Sequence, residues 1–140
     1  MTSMLRILQI IPFFGILLII YWLAVKTNLF PNGLNHVLFH MKLPSEAIWK
    51  PTWGDFMVLL GVLCLYVELF KSTRTSETTI IDHLLSTFVL IFYLTAWLIY
   101  SWAGNSVFLI LTGMAFLDVI AGFTITISAA RRDLSIGGKV

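Results

Sequence analysis

From Ser106 to Ala130 the chain reads SVFLILTGMAFLDVIAGFTITISAA, twenty-five residues with a single charged side chain, Asp118. A helix rises 1.5 Å per residue, so about 20 apolar residues suffice to cross a bilayer. The apolar positions run on without alternating, which excludes a half-buried strand. Three further stretches qualify: Ile7 to Val25, Trp53 to Phe70, and Ile80 to about Trp102. The expected fold is therefore all-α: a polytopic membrane protein, a four-transmembrane-helix bundle forming one domain over residues 1–140.

Composition points the same way. Of 140 residues 59% are hydrophobic and only 11% charged, against about a quarter in an ordinary soluble domain. The mean hydropathy is +0.93. Such a chain is too apolar for a soluble globular enzyme and too poor in charge to be disordered. The formal net charge of +2 carries no basic cluster longer than Arg131-Arg132, so no nucleic-acid partner is expected. The expected partners are the lipid bilayer and other membrane chains, including copies of this one. A lone cysteine, Cys64, excludes an internal disulfide and a multi-thiolate metal site. The first run holds 19 uncharged residues, lacks a small-x-small cleavage site and stops at Lys26, so it reads as a span rather than a secretory signal.

The punctuation supports these boundaries. Thr52 with Asp55, and Thr79 with Asp82, fit a capping pattern in which an acid follows Ser or Thr by three residues. Asn105 or Ser106 can cap the last span. Pro12 is expected to bend the first helix or delay its start. With four spans, Arg6, Lys71, Arg74, Arg131, Arg132 and Lys139 share one side, and Lys26, Lys42 and Lys50 the other. Both termini are accordingly expected in the cytoplasm. In the outer loop from Thr27 to Thr52, the positions Leu34, Val37, Leu38 and Met41 predict a short helix lying on the membrane surface.

Asp118 is the most informative residue. It lies 13 residues after Asn105 and 13 before Arg131, near the middle of its span. Burying a carboxylate at that depth costs about 2.5–3.5 kcal/mol on insertion scales, so it must face protein or water. Ala115, Gly122 and Ala129 share its face and permit close helix contact. No cation of this chain is expected at its depth, so Asp118 either holds a proton or meets a partner from another chain. Tyr93 and Thr95 are candidate hydrogen-bond partners. A stripe of Asp82, Ser86, Tyr93, Trp97 and Tyr100 marks a polar seam or packing face of the third span. Glu68 reads as a helix-end ion pair with Lys71. Asp55 and Asp82 read as caps, the latter near Arg74, and His83 as an interfacial residue. His36 and His40 have the i, i+4 spacing of a two-ligand metal grip on the surface helix, which falls short of a site. No cofactor is expected, and no nucleophile elbow, phosphate loop or depth-matched carboxylate pair suggests an enzyme.

Several short stretches from Trp53 onward go together: Gly54-Asp55, Glu68-Leu69-Phe70-Lys71-Ser72-Thr73-Arg74, Ile81-Asp82-His83, Leu117-Asp118-Val119-Ile120-Ala121-Gly122-Phe123 and Ala129-Ala130-Arg131-Arg132-Asp133. This set resembles a group of small four-span bacterial inner-membrane proteins with no assigned activity. The resemblance covers about 80 residues and excludes the first span and outer loop. It implies a bacterial inner-membrane setting and transfers no function. The residues themselves favour a non-enzymatic membrane subunit, self-assembling or within a larger complex. The alternative is a proton- or ion-coupled transporter or channel using Asp118. An intramembrane enzyme or quinone-binding protein has the least support.

Overall fold

The structure, a computed structural model, describes residues 10–73 and 77–137. Among these residues four α-helices carry the fold: α1 (Phe13–Lys26), α2 (Trp53–Ser72), α3 (Glu77–Ile99) and α4 (Ser106–Gly137). The stretches Trp53–Ser72, Ile80–Ile99 and Ser106–Arg132 are long and apolar enough to cross a membrane. Helix α1 is apolar but has only 14 residues. The first expected span is interrupted at Ile11-Pro12: Ile10 is helical, and residues 7–9 lie outside the described residues. Pro12 cannot donate a backbone hydrogen bond and disfavours helical geometry in the residue before it, so α1 begins at Phe13.

The other boundaries have equally local causes. Thr52 and Asp55 close a capping box: the Thr52 hydroxyl oxygen accepts from Asp55 N–H at 3.2 Å, and Asp55 Oδ2 accepts from Thr52 N–H at 2.8 Å. The second expected box falls on Thr79, whose side chain lies outside the described residues. Helix α3 already runs at Glu77, so Thr79 lies inside it and the Asp82 carboxylate is committed elsewhere. Helix α3 also ends at Ile99 rather than Trp102, because Tyr100 turns extended (φ −101°, ψ 128°) into a 3-10 turn over Ser101–Ala103. Asn105 then caps α4, its Oδ1 accepting from Phe108 N–H at 3.0 Å, while its Nδ2 donates to the Tyr21 hydroxyl at 2.9 Å.

The expected surface helix over Leu34–Met41 is absent. A 3-10 turn at Asn32–Asn35 leads instead into an antiparallel ribbon of β1 (Met41–Lys42) and β2 (Ile48–Trp49), with Met41 opposite Trp49 and Lys42 opposite Ile48. Eight residues of apolar spacing fall short of what nucleates a helix. A three-residue turn through Pro44, with Glu46 left-handed at φ 66°, closes the hairpin, and Leu43 N–H donates to Ala47 C=O at 2.9 Å.

The helices alternate in direction, and the packed neighbours are α1 with α2 and α3, and α4 with α2 and α3. Each buries one helical stripe: Phe14, Leu17 and Tyr21 on α1; Ser86, Leu90 and Tyr93 on α3; Phe108, Leu111, Ala115 and Asp118 on α4. Helix α2 approaches α4 through Gly61, where a Cβ would stand 2.7 Å from both Leu111 Cδ2 and Met114 Sδ. The interior is divided along its length. Aromatic rings fill the end near residues 27–52, with Tyr21 packed on Phe30 and Phe108 at 5.0 Å and Tyr93 on Phe108 at 5.2 Å. Ionisable side chains collect at the other end.

Candidate functional site

The polar end is assembled by i, i+4 pairs on three helices. Glu68 and Ser72 end α2, Asp82 and Ser86 lie early in α3, and Gly122 and Thr126 follow Asp118 on α4. Because successive helices run in opposite directions, all three pairs arrive at one level. Lys71 is the hub. Its ammonium donates to Glu68 Oε2 at 2.8 Å, to Asp82 Oδ1 at 2.8 Å and to the Ile11 carbonyl at 3.0 Å, which uses all three of its donors. The other Glu68 oxygen accepts from Phe13 N–H, the first amide of α1. The break at Pro12 thus supplies both a carbonyl and an amide to the cluster. Both carboxylate side chains are nearly sealed, 1% exposed for Glu68 and 2% for Asp82.

His83 extends the cluster toward α4. Its Nε2 lies 2.8 Å from the Thr126 hydroxyl, which also reaches the Ser72 carbonyl at 3.5 Å. Asp118, 3% exposed, faces the Ser86 side chain and lies within electrostatic reach of Glu68, Asp82 and Lys71. Its Oδ2 is buried with no hydrogen-bond partner among the described residues. Three carboxyl groups therefore share one ammonium in a closed space. If all were ionised, the excess of negative charge would be strongly unfavourable in so little water.

Several expectations change. Asp118 has a cation of its own chain nearby, since Lys71 turns inward instead of reaching for the interface. The expected Glu68–Lys71 pair forms at the end of α2, but it is buried and is joined by Asp82, which also pairs with Lys71. Tyr93 is not a partner of Asp118: its hydroxyl donates to the Phe14 carbonyl at 3.1 Å, beside Phe108, ten residues or about 15 Å along α4 from Asp118. Thr95 lies on the outer wall of α3. Asp55 sits at the opposite end of the bundle, and Arg74, like Arg6 and Lys139, lies outside the described residues. His36 and His40 fall in non-helical backbone, His36 extended at ψ 125°, so the helical spacing that suggested a shared ion is lost. Among the described residues no three His, Cys, Asp or Glu side chains form a metal-sized group.

Sequence reasoning undervalued His83 and missed Thr126 and the backbone groups at Pro12. The i, i+4 spacing of Asp118, Gly122 and Thr126 was the available signal. No protein-family model, curated protein or solved structure matches this chain.

Proposed function

We propose that the chain is a four-span protein of a bacterial inner membrane, both termini cytoplasmic, that moves protons or couples proton uptake to ion transport through Asp118. The observation that carries this reading is the buried, unpartnered Oδ2 of Asp118 in a cluster where carboxyl groups outnumber the ammonium three to one. An ionisable residue enclosed by membrane helices is expensive to keep and marks a functional site by default. Taking up a proton removes the surplus negative charge, and releasing it restores that charge, so the cluster has two electrostatic states of the kind a proton carrier needs. The bias of Lys and Arg flanking the spans supports the orientation, with the cluster toward the cytoplasmic side.

The test is pH-gradient-driven proton flux into liposomes holding the full chain, followed with an entrapped pH dye under a clamped membrane potential. Native protein is expected to conduct and Asp118→Asn to lose most of the flux, while Asp55→Asn behaves as native. Equal flux for native and Asp118→Asn, or none above empty liposomes, rejects the proposal.

A second reading, a non-enzymatic subunit of a homo-oligomer or larger membrane complex, is favoured by the aromatic filling of the other end. Phe14, Tyr21, Tyr93 and Phe108 are at most 1% exposed and obstruct a path along the bundle axis. A continuous route would then be completed between chains. Mass measurement in mild detergent tests it: a lone monomer with nothing copurifying counts against assembly.

A further inference from the structure

The outer end of α1 diverges from α3 and leaves an open groove of about 550 Å³, a size typical of small-molecule sites. Its walls are Leu18, Ile19 and Trp22 of α1, Phe92 and Ala96 of α3, and Trp102 beyond it. Both walls run nine residues, Leu18 to Lys26 and Phe92 to Tyr100, a rise of about 12 Å. The lining is mostly apolar, with the Thr95 hydroxyl the one polar group on the α3 wall below Tyr100. Lys26, the indole of Trp22 and the hydroxyl of Tyr100 line its outer part, at the ends of the two walls.

Lys26 is the only charged residue lining the groove. Its ammonium stands 5.2 Å from the centre of the Trp22 ring. Among the described residues the ion pairs join Lys42 to Glu46 and Lys71 to Glu68 and Asp82, so no carboxylate answers Lys26. A slot that is greasy below and cationic at its lip, edged with Trp and Tyr as headgroup-level belts are, matches one kind of molecule.

We propose that this groove holds one acyl chain of an anionic glycerophospholipid, its phosphate seated against Lys26. The inference rests on the membrane placement of the helices and is independent of proton movement at Asp118. A zwitterionic lipid offers the same tail and phosphate but brings its own ammonium, which leaves Lys26 unanswered. Net negative charge is therefore the discriminating feature. One lysine near an anionic surface corresponds to about a five-fold preference.

The experiment uses the full chain in nanodiscs of phosphatidylcholine containing a small fraction of lipid with brominated acyl chains, which quench tryptophan on contact. Brominated phosphatidylglycerol is expected to quench about five-fold more effectively than brominated phosphatidylcholine at equal fraction. The excess should shrink in Trp22→Phe and vanish when Trp102→Phe is added, since both rings line the groove; it should fall to parity in Lys26→Gln and survive in Lys26→Arg. Equal quenching by both lipids in native protein overturns the proposal. So does excess quenching that disappears as protein density per disc is raised, which would put a second copy in the groove. Absence of quenching by either lipid overturns the membrane placement itself and this site with it.

Discussion

The imidazole of His83 rests on the bare backbone of Gly122: a Cβ there would stand 2.6 Å from Cε1 and 2.9 Å from Nδ1. The ring has little room to retreat, since Nε2 is bound at 2.8 Å to Thr126 and Phe123 packs against it at 5.2 Å. Gly122→Ala is expected to destabilise the protein by about 1–3 kcal/mol, as overpacking does. Gly113→Ala, whose Cβ meets nothing within 4 Å, should be neutral or stabilising by up to about 1 kcal/mol. Thermal unfolding of both in the same detergent checks the contrast; similar melting temperatures would contradict the contact.

Lys71→Met strands two sealed carboxylates. Breaking a buried pair from one side costs about 3–5 kcal/mol, mostly the uncompensated charge that remains. Much of that loss should return when Glu68→Gln and Asp82→Asn are added, because the triple variant buries no charge at the triad. The deficit of the single variant should also shrink in acid, where protons replace the missing ammonium. Melting curves of the single and triple variants at neutral and acid pH measure this; a triple variant no better than the single one refutes the account.

Asn105 serves two elements at once, capping α4 and holding the Tyr21 hydroxyl of α1. Asn105→Ala should cost about 1–2 kcal/mol. Asn105→Asp keeps the acceptor for Phe108 N–H but loses the donor to Tyr21, so a smaller loss is expected. Denaturation of the pair in detergent distinguishes a cap from a cross-helix tie.

Tyr93→Phe removes one buried hydrogen bond, to the Phe14 carbonyl, and should cost about 0.5–1.5 kcal/mol. Proton flux in liposomes should be unchanged, because the Tyr93 hydroxyl is committed to the Phe14 carbonyl and not to Asp118. A loss of flux comparable to that of Asp118→Asn would place the pathway through the aromatic core.

The helical stretches were legible because unbroken apolar length is a coarse signal that tertiary contacts cannot reverse. The Thr52–Asp55 box and the Asn105 cap were legible for the opposite reason: both are settled by bonds within four residues. Asp82 reads as a cap because Thr79-Ile80-Ile81-Asp82 satisfies the same local rule; its ion pair with Lys71, eleven residues away, is a contact between helices that no local rule carries. The ribbon at Met41 to Trp49 was hidden behind a helical spacing too short to mean anything without a capping or packing partner. Asp118 stood out in sequence as costly. That its neighbours are Ser86, Lys71 and the His83–Gly122 contact depends on the register between helices, which hydropathy does not encode.

The brevity of α1 has one more consequence. Fourteen residues make a rod about 21 Å long, against roughly 30 Å of hydrocarbon in an ordinary bilayer. Its Pro12 end meets the Lys71 network, whose carboxylates are sealed inside the bundle, so protein and not lipid covers that charge. Under the four-span reading, a rod of that length is expected to suit thin-bilayer lipids better than thick ones.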